Sequence, residues 1–205
     1  MDGLYKLISD IQANLFLLFH KTWVFHWNVV GPDFHQLHEL FGKQYETMFE
    51  EIDRFSEHMR FLNIRPVGTL TRIVEVSTIG EGSSYAQMDE MGQKQMIPGK
   101  PVTKADEMVK RLLADNLVML ELLTAVSEQA GEQGFYATEN IVQDMMEIHG
   151  KFVWMLRSIA EKGNTAVEDD MASAQMMGQQ PAALPSQPAQ QPVAQQAPAP
   201  QAPQQ

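Results

Sequence analysis

Apolar residues recur every three or four positions along four long stretches of the chain, which is the spacing of one helix face. No Pro or Gly interrupts the first stretch from Leu4 to Val30, and Gly31-Pro32 ends it. The second stretch carries seven apolar residues at alternating steps of four and three: Phe41, Tyr45, Met48, Ile52, Phe55, Met59 and Leu62. This spacing is typical of bundle helices, so we expect these seven side chains to face a common core.

The lengths of the connections order the four predicted helices. The first turn is short and ends at Asp33, whose spacing to Gln36 is that of a helix capping box. The third helix starts near Thr103, and the fourth follows a short turn at residues 131–134. Between the two hairpins lie about 40 residues (63–102), enough to run the length of a bundle. This order predicts an all-α, ferritin-like four-helix bundle with one long crossover.

The long crossover has a mixed local pattern. Gly and Pro recur between Gly80 and Pro101, which indicates turns, and we expect one short helix around Tyr85–Met91. Before these residues, the brief β-branched stretch Ile73–Ile79 is the one strand signal in a sequence whose pattern is otherwise helical. The pattern assigns no role to the segment Gly80–Val102.

Composition changes sharply near the end of the chain. From Gln179 to Gln205, the 27 residues include 10 Gln, 7 Pro and 7 Ala. Such a segment has little to bury and many helix-breaking prolines, which favours disorder. All 15 Lys and Arg lie at or before Lys162. We therefore predict a folded domain over residues 1–162 and a disordered Pro/Gln/Ala-rich tail over 163–205.

Charge and composition exclude several classes of protein. A net charge of −11 opposes a general electrostatic attraction to nucleic acid or anionic lipid. The absence of Cys excludes disulfide scaffolds, thiolate metal sites and Cys nucleophiles, and it fits a reducing compartment. The apolar run Leu15–Phe19 is too short for a membrane span or a signal-peptide core. We expect a cytoplasmic protein that does not contact a membrane.

Two histidines and two carboxylates on the first two helices are candidates for metal binding. His26 lies six residues before Pro32 and His38 six after it, so an antiparallel hairpin places both imidazoles at one level. Asp53 and Glu57 lie one turn apart on one helix face. Carboxylates at this spacing repel each other unless water or a cation neutralises them. Imidazole and carboxylate ligands together suit iron, zinc or manganese.

Distance along the helix constrains this hypothesis. His38 and Asp53 are 15 residues apart, or about 22 Å, and cannot bind one ion within a subunit. A centre that uses all four residues requires a two-fold dimer with two equivalent sites. The residues alone leave open two ordinary interpretations: hydrogen-bonded structural histidines, and a solvated acidic pair partly neutralised by Arg54 or Arg60. The remaining histidines are interpreted as structural, with His149 as a satisfied core histidine: His20, His35, His58 and His149.

These residues resemble the signature of the mini-ferritins, the starvation-induced DNA-protection (Dps) family, over residues 4–162. The similarity is carried by His26-Trp27-Asn28-Val29, Gly31, Phe34, Leu37-His38, Tyr45, Asp53 with Glu57, Pro66-x-Gly68-Thr69 and Trp154-Met155-Leu156-Arg157. The resemblance implies four-helix subunits, with a small helix in the crossover, that assemble as hollow homododecamers. It also implies oxidation of ferrous iron, preferentially by hydrogen peroxide, at sites shared across two-fold interfaces, followed by storage of ferric mineral.

The resemblance assigns a role to each candidate residue. By position, His26 and His38 match the iron ligands from one subunit. Asp53 and Glu57 match those from its mate, with Glu57 bridging two irons. Trp27 matches the aromatic residue beside the family's site, where it donates or traps an oxidising equivalent.

Two departures from the family pattern change the expectations. Gly42 stands where the family usually places an Asp or Glu, one turn after the second His, so we predict weaker binding of the second iron. The tail and the N-terminus lack the basic cluster that DNA-binding members use, so we expect no tight direct binding to DNA. Two alternatives stay open: a non-catalytic shell or scaffold whose tail binds a partner, and a DNA-compacting protein with incidental iron binding.

Overall fold

Five helices and one β-hairpin make up the part of the chain that the structure describes. The computed structural model describes residues 2–80, 84–88, 94–98 and 102–161, and side chains within 3–80 and 102–161. The elements in chain order are α1 (Asp2–Asn28), α2 (Phe34–Phe61), α3 (Leu70–Val76), β1 (Ser84–Met88), β2 (Lys94–Pro98), α4 (Ala105–Glu132) and α5 (Tyr136–Ala160). The tail predicted for 163–205 lies outside the described residues.

The four long helices pack as two hairpins. Helix α1 packs against α2 and helix α4 against α5, while contacts of α1 with α4 and of α2 with α5 join the two pairs. The short helix α3 lies within the long crossover and packs on α1. This arrangement confirms the predicted all-α, ferritin-like bundle with one long crossover and a short extra helix. Among the described residues, no helix is both long and apolar enough to span a bilayer.

The short helix of the crossover lies earlier than expected. Helix α3 covers Leu70–Val76 and so includes the start of the brief β-branched stretch. The Thr69 side chain caps this helix by accepting a hydrogen bond from the Arg72 backbone N–H at 3.3 Å. Ile73 is buried against the core. Capping and burial together override the local β preference.

The segment expected to be helical forms a strand instead. Residues Ser84–Met88 form β1, which pairs with β2 in an antiparallel arrangement whose backbone register matches Tyr85 with Ile97. Residues 89–91 of the expected helix lie outside the described residues. The pairing depends on a partner about ten residues further along the chain, which the local pattern cannot reveal.

The core face of α2 differs from the expected one by one residue at two positions. Phe41, Met48, Phe55 and Met59 are buried as predicted, but Tyr45, Ile52 and Leu62 are only half-buried. Gln44 and Glu51 occupy the buried positions beside Tyr45 and Ile52. A helical repeat of 3.6 residues lets steps of three or four serve the same face, so the apolar pattern did not fix this register. The core therefore contains polar groups between α2 and its neighbours.

Candidate metal centre

A tight turn places the end of α1 beside the start of α2. Gly31 adopts φ +114°, a conformation that residues with a side chain rarely adopt. Asp33 occupies the N-cap position of α2, but its side chain makes no capping hydrogen bond, so the predicted capping box does not form. Backbone hydrogen bonds close the turn instead, from Phe34 N–H to Gly31 O at 3.1 Å and from Leu37 N–H to Asp33 O at 3.0 Å.

His26 and His38 meet across this hairpin, as their spacing around Pro32 predicts. Their rings stack with centroids 3.7 Å apart and planes inclined by 20°. The Nδ1 of His26 lies 2.7 Å from the backbone oxygen of His38, and the Nδ1 of His38 lies 2.8 Å from the backbone oxygen of His26. Because a carbonyl oxygen only accepts, both Nδ1 atoms carry a proton and donate it.

The reciprocal bonds fix the chemistry of the other ring nitrogens. In a neutral imidazole with Nδ1 protonated, Nε2 holds the lone pair. Both rings are half-buried, and neither Nε2 atom has a hydrogen-bond partner in the described part of the chain. A backbone oxygen on Nδ1 is the arrangement that typically orients a metal-binding histidine. The pair therefore presents two oriented Nε2 lone pairs that can bind a metal ion.

Asp53 and Glu57 lie on the outer face of α2. Both side chains are exposed, and within residues 3–80 and 102–161 neither makes a hydrogen bond or an ion pair. Arg54, expected as a partial neutraliser, pairs instead with Asp144 of α5 at 2.5 Å. Among the described side chains, therefore, no cationic group is bound to the two carboxylates.

The histidine pair and the carboxylate pair do not meet within one chain. Their separation along α2 is about 22 Å between His38 and Asp53. In the described residues, no three His, Asp or Glu side chains come together as a metal-binding group. The assignment of all four residues to one centre stays a prediction that requires a second subunit.

Gly42 lies directly against the first histidine. A Cβ atom on Gly42 would lie 3.3 Å from Cε1 and 3.4 Å from Nδ1 of His26, tighter than most real contacts. The His26 ring is held by its bond to the His38 carbonyl and by the stack, so it has little freedom to move away. The missing side chain thus makes room for the histidine pair as well as removing a ligand.

Aromatic side chains continue from the histidine pair along the α1–α2 surface. The Tyr45 ring contacts His26 edge-to-face with centroids 5.1 Å apart, and it lies 6.1 Å from Trp23. Trp27 packs on Trp23 at 4.4 Å and is 56% exposed. Tyr45, which the sequence pattern placed in the core, is therefore the nearer aromatic neighbour of His26.

A second polar group lies inside the bundle. His149 is fully buried as predicted, and its Nδ1 donates to Asn116 Oδ1 at 2.7 Å. Its Nε2 has no hydrogen-bond partner among the described residues and lies 3.7 Å from Oε2 of Glu51, so His149 is only half satisfied there. Burial raises the pKa of Glu51 to about 8 and lowers the pKa of His149 to about 3. The apolar pattern of α2 does not single out Glu51.

The other histidines have ordinary surroundings. His58 Nε2 lies 2.9 Å from the Thr138 hydroxyl, an α2–α5 contact, and burial lowers the pKa of His58. His20 and His35 are exposed. None of the three adds to the candidate centre.

Comparison with known proteins identifies the family to which this fold belongs. The chain matches the ferritin-like domain family over residues 5–166. An uncharacterized low temperature-induced protein of Nostoc sp. (strain PCC 7120) is 29% identical over 161 residues, covering 78% of this chain and 81% of the relative. DNA protection during starvation protein 2 of Bacillus anthracis is 29% identical over 153 residues, covering 75% of this chain and 93% of the relative. The crystal structure of Dps from Staphylococcus aureus has a TM-score of 0.66 and 27% identity, covering 78% of this chain and 97% of that one.

A four-helix bundle with this crossover, matched by that family over most of its length, is a ferritin-like protein. Within the ferritin-like superfamily, the chain belongs to the Dps family.

Proposed function

We propose that this protein oxidises ferrous iron at centres shared between two subunits and stores the ferric product. His26 and His38 of one subunit bind the iron through Nε2, and Asp53 and Glu57 of the mate supply the carboxylates. The observation that carries this proposal is the reciprocal histidine pair, which leaves two oriented Nε2 donors beside an exposed surface. Asp53 and Glu57 lie on the outer face of α2, so a two-fold axis can bring those of one subunit beside the histidine pair of the other.

Iron is the substrate of this reaction, and hydrogen peroxide is the proposed oxidant. Two Fe²⁺ ions each give one electron to one H₂O₂, which takes up two protons and leaves as two waters. The imidazoles and carboxylates hold the ions while their charge rises, and carboxylate oxygen favours the ferric product. A bridging position for Glu57 couples the two ions, so that peroxide receives both electrons without release of a hydroxyl radical.

Storage requires an assembled shell. A Dps protein from Vibrio cholerae is described as a member of a broad superfamily of ferritin-like diiron-carboxylate proteins, and its structure covers 78% of this chain with a TM-score of 0.66. The exposed aromatic residues Trp23, Trp27 and Phe49 supply apolar surface on the α1–α2 hairpin for a two-fold interface. We expect a homododecamer built from such dimers, with mineral in an acidic cavity.

The proposal is tested by removing both carboxylates from one face. The double variant Asp53→Ala/Glu57→Ala should lose rapid peroxide-dependent oxidation of Fe²⁺ while it keeps its assembly state and helix content. The matched control Glu128→Ala/Glu132→Ala removes two exposed carboxylates at the same spacing on α4 and should oxidise iron at the wild-type rate. Wild-type rates in the first variant would overturn the assignment.

Gly42 favours one alternative, a non-catalytic Dps-like shell. Without a carboxylate at this position, the second iron loses a ligand, and turnover falls accordingly. Anaerobic addition of Fe²⁺ followed by peroxide separates the two: prompt ferric absorbance supports the oxidase, and its absence supports the shell.

A further inference from the structure

Three helices of the bundle bring polar side chains together in the core, away from the exposed carboxylates of α2. Glu51 of α2, Asn116 of α4 and His149 of α5 are all at least 95% buried. Within the part of the chain that the structure describes, both carboxylate oxygens of Glu51 and Nε2 of His149 lack hydrogen-bond partners. Buried polar atoms almost always have a partner, so a group of three unpartnered atoms needs an explanation.

Asn116 fixes which nitrogen of His149 faces Glu51. The Asn116 amide nitrogen donates to the Leu112 carbonyl at 2.7 Å, which leaves its oxygen toward His149 Nδ1. Nδ1 therefore carries the proton, and Nε2 carries the lone pair. An acceptor on Nδ1 is the outer contact that metal-bound histidines typically make.

The separation of Nε2 and the carboxylate suits a shared ion. His149 Nε2 and Glu51 Oε2 are 3.7 Å apart, too far for a direct hydrogen bond. Two ligands that bind one Zn²⁺ at ordinary bond lengths in tetrahedral geometry lie about 3.4 Å apart. One imidazole and one carboxylate select a divalent transition-metal ion over Ca²⁺ or Mg²⁺.

We propose that the bundle interior binds one divalent transition-metal ion through His149 Nε2 and the Glu51 carboxylate, with water as the remaining ligands and Asn116 as the positioning residue. The Glu51 carboxylate supplies negative charge, and α2 and α5 supply the two protein ligands. This site uses none of the four residues of the interfacial centre. A test of the site is therefore independent of the proposed iron oxidation.

Zn²⁺ binding to the full chain tests this site directly. A variant with His26, His38, Asp53 and Glu57 all replaced by Ala should still bind one Zn²⁺ per chain in calorimetry. Adding Glu51→Gln should abolish that binding, whereas the control Glu50→Gln, an exposed carboxylate one residue away, should leave it unchanged. Asn116→Ala should weaken binding about 10- to 100-fold, because His149 Nδ1 then loses the acceptor that orients the ring.

Two results would overturn the proposal. One is that the quadruple variant, shown to be folded by circular dichroism, binds no Zn²⁺, in which case the unpartnered atoms hold buried water. The other is that Glu51→Gln leaves Zn²⁺ binding unchanged. If the quadruple variant does not fold, the same count is made on otherwise wild-type protein, where Glu51→Gln must lower bound Zn²⁺ by one per chain.

Discussion

Gly42 combines two effects at a single position: it omits a carboxylate and lets the His26 ring lie against α2. We expect the assembled protein to bind one tight Fe²⁺ per interfacial centre, because the second ion keeps only His38 and the bridging Glu57. Anaerobic titration with Fe²⁺ measures the stoichiometry. Two tight ferrous ions per centre in the wild type would contradict this prediction.

The buried pair Glu51 and His149 predicts a distinctive pH dependence for the metal-free protein. Between pH 6.5 and 8, folded Glu51 keeps a proton that the unfolded chain has released, because burial raises its pKa to about 8 from 4.5. Stability therefore falls as pH rises, by up to about 1.4 kcal/mol per pH unit. Between pH 4.5 and 6.5, His149 acts in the opposite sense, because its pKa falls from 6.5 to about 3.

Glu51→Gln isolates this effect. The free energy of unfolding is measured by denaturant titration with a chelator present. Between pH 6.5 and 8 it should fall less steeply in the variant than in the wild type. Glu50→Gln is the exposed control and should follow the wild type. Parallel curves for wild type and Glu51→Gln across this range would show that Glu51 is ionised in the fold.

The sequence predicts the His26–His38 pair, but it does not predict the buried Glu51–His149 pair. His26 and His38 are symmetric about Pro32, and a hairpin must bring such positions together. Glu51 lies beside the apolar Ile52, and a repeat of 3.6 residues does not decide which of the two faces the core. That decision depends on the packing of α4 and α5, which supply Asn116 and His149.

Between elements, an ion pair between the buried Lys21 and the partly buried Asp115 joins α1 to α4. Lys21 Nζ lies 2.5 Å from Asp115 Oδ2, and the Lys21 side chain is 4% exposed. Burial lowers the pKa of Lys21 and raises that of Asp115. Asp115→Asn should cost about 3–5 kcal/mol of unfolding free energy, because it leaves a buried cation without its partner.

Asp144→Asn provides the comparison for that measurement. It breaks the exposed pair with Arg54, where both side chains are more than half exposed, and should cost at most about 1 kcal/mol. Equal losses in the two variants under chemical denaturation would contradict the assigned role of the Lys21–Asp115 pair.

The four long helices were predictable because each carries a long periodic pattern and is followed within five residues by Gly or Pro. The crossover was less predictable because its elements depend on partners outside the local segment. Helix α3 forms where Ile73 packs into the core, and β1 forms where it pairs with β2. Short segments of this kind take their structure from tertiary contacts more than from propensity.

For the whole molecule, the central claim is that each iron centre takes its histidines from one subunit and its carboxylates from another. The two-fold arrangement gives a dimer two equivalent centres. A dimer of one His26→Ala/His38→Ala subunit and one Asp53→Ala/Glu57→Ala subunit then contains one centre with all four ligands and one with none.

Peroxide-dependent oxidation of Fe²⁺ by co-assembled variants tests this claim most directly. Each variant alone should be inactive, whereas an equal mixture, unfolded and reassembled together, should recover about a quarter of the wild-type rate, since half of its dimers are mixed and half of their centres are intact. Proof of mixed assembly by native mass spectrometry completes the measurement. A mixture that contains mixed dimers and stays inactive would contradict the shared centre.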